Sequence, residues 1–126
     1  NRDTLLEFLM PNIDPIIGMK RAFADEEEYL EVLRDFEKRF NQYGQMIKSS
    51  ILDERIEEAL DLVHNAKSVT AMIGAQSLSA QMASLENILR KKESDEEITI
   101  NERIDNLINE QEQIIDKVRK LLSHYD

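Results

Sequence analysis

The chain has no cysteine and no tryptophan, two prolines, three glycines, and aromatic side chains at only 6% of its 126 residues. Without cysteine there can be no disulfide scaffold, no thiolate metal site and no cysteine nucleophile. No apolar run approaches the roughly 20 residues needed to cross a bilayer, and no signal-peptide pattern opens the chain. Basic charge is also in short supply, with 16 Lys and Arg against 26 Asp and Glu and a net charge of −10. That balance argues against a nucleic-acid partner, because phosphate-backbone binding rests on dense Lys and Arg. The length suits one domain, 1–126, and two separate cores would be hard to build from it. The chain opens on Asn1 rather than methionine, which reads as a trimmed piece with an upstream segment left open. Few helix breakers leave long helices as the first expectation.

Both prolines, Pro11 and Pro15, lie near the start, so irregularity is expected there, as an N-terminal cap over about 1–22. Thr4 to Met10 reads as a short helix stopped by Pro11, and Pro15 to Lys20 as a second. Beyond them the apolar spacing is helical. Tyr29, Leu33, Phe36, Phe40, Tyr43 and Ile47 form one stripe on a helix expected over about 23–48. Ser49, Ser50 and Asp53 read as a break, with Asp53 a candidate N-cap. The next stripe is Ile56, Ala59 or Leu60, Val63, Ala66, Thr70 and Ile73, closed by Gly74. Leu78, Met82, Leu85 and Leu89 carry a third helix, and Arg90, Lys91 and Lys92 suit its negative end. Glu93-Ser94-Asp95-Glu96-Glu97 reads as a solvated connector, and Asp25–Glu28 as a solvated helix start. The last helix uses Ile100, Ile104, Leu107, Ile108, Ile114, Ile115, Val118 and Leu121, and Gln111 interrupts its stripe without an evident reason. The pattern predicts an all-α protein: an antiparallel four-helix bundle over about 23–124 with short additional N-terminal helices.

Only two histidines are present, His64 and His124. His124 stands near a chain end expected to fray and reads as incidental. His64 follows the core position Val63, so its ring should emerge at the edge of the stripe. Lys67, Ser68 and Ala71 share its face at i+3, i+4 and i+7, and small residues there admit a large flat partner. They equally suit close helix packing. If the chain reverses at Gly74-Ala75-Gln76, His64 and Glu86 each stand eleven positions from Ala75, about 16 Å along facing helices at about 1.5 Å per residue. Glu86 is then level with the imidazole, where a carboxylate accepting from Nδ1–H leaves Nε2 as the nucleophilic nitrogen. Arg90 comes level with Leu60 near the same face. A solvated Glu86 with no role is the plainer alternative.

Hydrolysis by a triad would want a Ser or Cys nucleophile with an oxyanion hole, and no such motif is present. Structural zinc would want further His or Cys ligands. Three scattered glycines, Gly18, Gly44 and Gly74, cannot cradle ATP phosphates. Accepting a phosphoryl group activated elsewhere remains feasible, since it needs a free ring nitrogen and a cation to offset charge, and Lys67 is that cation.

The residues at this point resemble a histidine-containing phosphotransfer (HPt) domain of multistep two-component signalling. The matching stretch is His64-Asn65-Ala66-Lys67-Ser68 through Gly74-Ala75 and Leu78, then Leu85-Glu86. Gly18-Met19-Lys20-Arg21, Asp25–Leu30, Leu33 and Phe36 look like the family's opening segment. The resemblance spans roughly 12–92. It implies His64 as phospho-acceptor, Lys67 as neutraliser of phosphoryl charge, Glu86 as orienter of the ring and Gly74 as the hairpin turn. Leu60, Ala71 and Ala75 are the candidates for receiver docking, with Ser68 beside the reaction centre and Arg90 at the rim. Two departures stand out: Ser68 where the family commonly has glycine, and anionic Glu86 where a neutral glutamine is common.

The implied reaction is reversible transfer between a receiver-domain aspartyl phosphate and His64 Nε2. The receiver would bring Mg²⁺ and most of the catalytic machinery, so the chain is expected to be a carrier and not an enzyme, with no cofactor and no metal of its own. The implied partners are response-regulator receiver domains and a sensor or hybrid histidine kinase, without membrane contact by this segment, in the cytoplasm. The alternative is a non-catalytic helical interaction or adaptor module with an incidental histidine. A metal-binding bundle is more remote, because no second histidine stands at i+3 or i+4 from His64.

Overall fold

The structure, a computed structural model, describes residues 1–91 and 97–126. Among these residues the chain forms seven helices and no strand: α1 (Arg2–Leu9), α2 (Pro15–Ala22), α3 (Glu26–Phe40), α4 (Tyr43–Leu52), α5 (Ile56–Ile73), α6 (Gln76–Lys91) and α7 (Glu97–Tyr125). The acidic run expected as a connector, 93–97, lies almost wholly outside the described residues.

Local chemistry explains where α2 and α3 begin. Asp14 accepts from the backbone N–H groups of Ile16 and Ile17 while Pro15 occupies the first helical turn of α2, where its missing N–H costs nothing. A capping box between Asp25 and Glu28 starts α3, so the acidic run there is a helix start as expected.

Two boundaries differ from the sequence reading. The single helix expected over 23–48 is two, broken at Asn41 and Gln42. The Asn41 side chain closes α3 by donating to the carbonyls of Glu37 and Lys38, at 2.8 and 3.2 Å. Two residues of interruption leave the apolar stripe in phase, so the periodicity carries no trace of the break. The second difference concerns Ser49 and Ser50, which are helical; α4 continues to Leu52. Asp53 does not cap α5. That position belongs to Arg55, after Glu54 turns into the left-handed region at φ 61°. Asp53 ion-pairs with Arg55 at 3.2 Å instead.

The bundle has four legs: α3 with α4, then α5, α6 and α7. Cross-contacts between the first and last legs run in opposite senses along the chain. Arg34 meets Asp126, Glu37 meets Arg119, the Phe40 carbonyl meets Gln111 and Lys48 meets Asp105. Between α6 and α7 the pairs Ser77–Glu110 and Ser84–Arg103 do the same. Each leg therefore lies antiparallel to its neighbour. The buried stripe includes Tyr29, Leu33, Phe36, Ile47, Val63, Ile73, Leu78, Met82, Leu85, Leu107, Ile114 and Leu121. The short helices α1 and α2 pack on α7 and α5 respectively.

Gln111, unaccounted for in the sequence, is buried and donates to the Phe40 carbonyl at the end of α3. It supplies from α7 the donor that the broken helix lacks. Gly44, just past the break, lets α7 come close: a Cβ there would sit 3.1 Å from Ile108 Cγ1. The substitution Gln111→Leu should lower stability by about 1–3 kcal/mol, the usual cost of a buried carbonyl losing its partner. The check is the urea midpoint at constant m-value, with helix content by circular dichroism unchanged.

Candidate functional site

The site lies on the α5–α6 hairpin. Val63, Ala66 and Thr70 face the core from α5, and His64 steps one position out of that row. Its side chain is 60% exposed. Gly74 ends α5 at φ 93°, a conformation that suits glycine. The Asp14 N–H donates to the Gly74 carbonyl at 2.9 Å, and any Cβ at Gly74 would collide with the Asp14 carbonyl oxygen. The buried Tyr29 hydroxyl donates to the Ile73 carbonyl at 2.6 Å. The turn is thus held by the N-terminal cap and by α3, which sets the register of α6 against α5. A further tie is Ser79 Oγ, which donates to the Lys67 carbonyl at 2.9 Å.

That register brings Glu86 level with His64. Nδ1 of the ring lies 3.1 Å from Glu86 Oε2, Lys67 Nζ donates to Oε1 at 2.6 Å, and Arg90 Nη2 donates to Oε2 at 3.2 Å. The Glu86 side chain is only 8% exposed. Three donors converge on a nearly buried carboxylate. The Lys67 hydrogen bond, foremost, pulls the Glu86 carboxyl down to about 2; burial pushes it up, and the bonds from His64 and Arg90 add to the lowering. An ionised carboxylate only accepts hydrogen bonds, so the proton between Glu86 and the ring belongs to Nδ1. Nε2, the other nitrogen, makes no hydrogen bond among the described residues, and in the neutral ring it is the one that carries the lone pair.

Other expected site residues fall as follows. Ser68 is exposed one turn from His64, while Leu60 and Ala71 are half-buried along α5. The Ala71 carbonyl accepts from Arg21 of α2 at 2.8 Å. Ala75 is not part of an accessible surface: it is 0% exposed, and its N–H donates to the Thr70 carbonyl. It belongs to the turn together with Gly74, because the left-handed glycine folds the next N–H back onto the end of α5. Arg90, expected at the rim, is 60% exposed but reaches inward to Glu86. Its place at i+4 from Glu86 was a legible signal, since Glu followed by a cation four residues on favours pairing. Ser79 carried no such signal. His124 lies away from this site, with its ring 5.3 Å from that of Phe8. Among the described residues, no group of three His, Cys, Asp or Glu side chains is arranged to hold a metal ion.

The family model of the Hpt domain matches residues 31–121, which include every member of this cluster. The chain belongs to the Hpt domain family. Hpt domains are phosphohistidine carriers of phosphorelays, working with receiver domains and kinases without being kinases themselves. Comparison with curated proteins and with solved structures gave no match. Among the described residues no helix is long and apolar enough to cross a membrane.

The depressed Glu86 carboxyl makes a stability prediction. In the unfolded chain it titrates at its ordinary 4.5, and in the folded chain at about 2. Its stabilising contribution is complete above pH 4.5 and is lost as pH falls towards 2. Across that window the wild type should lose more stability than Glu86→Gln, narrowing the gap between them, as read from urea midpoints at successive pH values.

Proposed function

We propose that this Hpt domain accepts a phosphoryl group from a receiver-domain aspartyl phosphate onto His64 Nε2 and passes it to another receiver aspartate. The observation that carries the reading is the ring itself, exposed, bonded through Nδ1 to Glu86 and unengaged at Nε2, with Lys67 one turn on. The Nε2 lone pair attacks phosphorus, the N–P bond forms, and the P–O bond to the aspartyl oxygen breaks to release a carboxylate. The ring keeps its Nδ1 proton throughout, and the positive charge it acquires is met by the Glu86 carboxylate.

Lys67 has three N–H donors and spends one on Glu86 Oε1, leaving two to meet the phosphoryl oxygens. Arg90 stands at the rim of the same cluster. Glu86 is countered by two cations, so its negative charge does not face incoming phosphate alone. Leu60, Ser68 and Ala71 would form the docking face around the histidine, and the receiver would bring the Mg²⁺ that supports transfer. A sensor or hybrid histidine kinase would feed the relay from upstream, and the reading places these steps in the cytoplasm.

Incubation with a phosphorylated cognate receiver should leave acid-labile, base-stable phosphate on the protein, and His64→Gln should abolish it. Label that persists in the variant would move the site to His124. Lys67→Ala should slow transfer by on the order of tenfold to a hundredfold while changing receiver affinity less. Rapid-quench transfer rates set beside calorimetric binding constants give the comparison. Equal losses in both would make Lys67 a docking contact only.

A further inference from the structure

Ser68 stands where the related domains commonly carry glycine, so its hydroxyl is a feature of this chain rather than one common to the family. The side chain is exposed, and among the described residues its hydroxyl makes no hydrogen bond within the protein. Its hairpin neighbours are spent: Thr70 donates to the Ala66 carbonyl at 2.6 Å and Ser79 to the Lys67 carbonyl at 2.9 Å. Ser68 lies four residues on from His64, which sets the two Cβ atoms about 5–6 Å apart on one helix face. Helical Cα–Cβ bonds tilt towards the N-terminus, so the Ser68 hydroxyl leans over the turn that holds His64.

On the phosphocarrier reading, the phosphoryl group arrives on Nε2 as its P–O bond to the receiver carboxylate breaks. It brings three acceptor oxygens to that edge of the ring. The Nδ1 edge is already occupied: Glu86 Oε2 lies 3.1 Å from Nδ1, and Lys67 and Arg90 are drawn to the same carboxylate. Those cations serve phosphoryl oxygens turned towards α6. On the solvent side, Asp61, Asn65 and Ser68 of α5 are all exposed near the ring. The Asp61 carboxylate accepts and does not donate. Asn65 follows His64 directly, and adjacent side chains diverge by about 100° around a helix. Ser68 is the donor that remains.

We infer that the Ser68 hydroxyl donates a hydrogen bond to a phosphoryl oxygen on Nε2, which stabilises phosphorylated His64 against return of the group to a receiver. The inference rests on the carrier reading. An anionic acceptor makes this bond stronger than the bond to water that it replaces. The carrier therefore holds phosphate more firmly than glycine at this position would allow, and the relay equilibrium is displaced towards it.

The transfer equilibrium is the decisive measurement, because it compares free carrier with free receiver and is indifferent to how Ser68 packs while the two are docked. A phosphorylated receiver would be brought to equilibrium with wild type, Ser68→Ala and Ser68→Gly, at concentrations too low for complexes to accumulate. Both variants should move the phosphoryl distribution towards the receiver by about three- to tenfold, the worth of one net hydrogen bond. A second readout is direct. Phosphoramidate, a small donor that phosphorylates imidazole, would load each protein, with His64→Gln identifying signals from His124. Phosphorus NMR against pH then follows the second ionisation of the phosphoryl group itself. Loss of a donor to the dianion should raise that midpoint in both variants. Asp61, Lys67, Glu86, Arg90 and Arg21 of α2 are common to all these proteins and cancel in the comparison.

An unchanged equilibrium or an unchanged midpoint in Ser68→Ala would overturn the inference and leave the carrier reading standing. A change confined to Ser68→Gly would also overturn it, since the side chain would then act through its bulk. Wild type that loads from phosphoramidate but takes nothing from the receiver would overturn the carrier reading, and the midpoints alone would then decide whether Ser68 meets the phosphoryl group. Failure to load wild-type His64 by either route would overturn both.

Discussion

A carboxylate that is almost wholly withdrawn from water must be given donors, and Glu86 receives three. Lys67 and His64 come from one helix and Arg90 from its own. An unpaired buried charge would cost several kcal/mol, so the cluster cannot be loosened at one point without strain on the rest. The same bonds that satisfy Glu86 also fix the ring: Nδ1 is committed, Nε2 is left over, and the imidazole presents that nitrogen outward. Satisfaction of a buried acid and presentation of a nucleophile are here one arrangement.

The cluster depends on helix register, and register is set at the other end of the hairpin. Gly74 turns the chain in a conformation that few other residues adopt, Asp14 seals the turn from α2, and Tyr29 takes the Ile73 carbonyl from α3. Small side chains at Ala66 and Thr70 occupy the buried face of α5 and permit close approach. A shift of one residue along α6 would rotate Glu86 by about 100° and take it away from His64. The N-terminal helices, far from the histidine in the chain, thus bear on the geometry of its ring.

Much of the site was legible because helical hairpins obey simple counting. Equal distance from Ala75 paired His64 with Glu86, and the step from Val63 to His64 put the ring at the edge of the stripe. The same counting could not say that Ala75 would be sealed in the turn, because burial there depends on how the whole hairpin end packs. Nor could it tell that Lys67 would bond to Glu86. Lys67 was legible as a cation near the ring, but its rotamer follows from the carboxylate it meets across the helix pair. Gln111 looked like an error in an apolar stripe and proved to be a donor for a carbonyl seventy-one residues earlier. The break that exposes that carbonyl is too short to disturb the periodicity.

The amino-acid order by itself determined the helices, their apolar faces and the antiparallel hairpin, because these follow from local spacing, capping and the scarcity of glycine and proline. It also determined which chemistry was available, since only one histidine stands beside a helix core with a lysine one turn on. Tertiary structure decided the rest: which acid the ring meets, how many cations that acid gathers, and where α3 ends and α4 begins. Those outcomes depend on contacts between residues distant in the chain, and helix periodicity has no memory beyond its own turns.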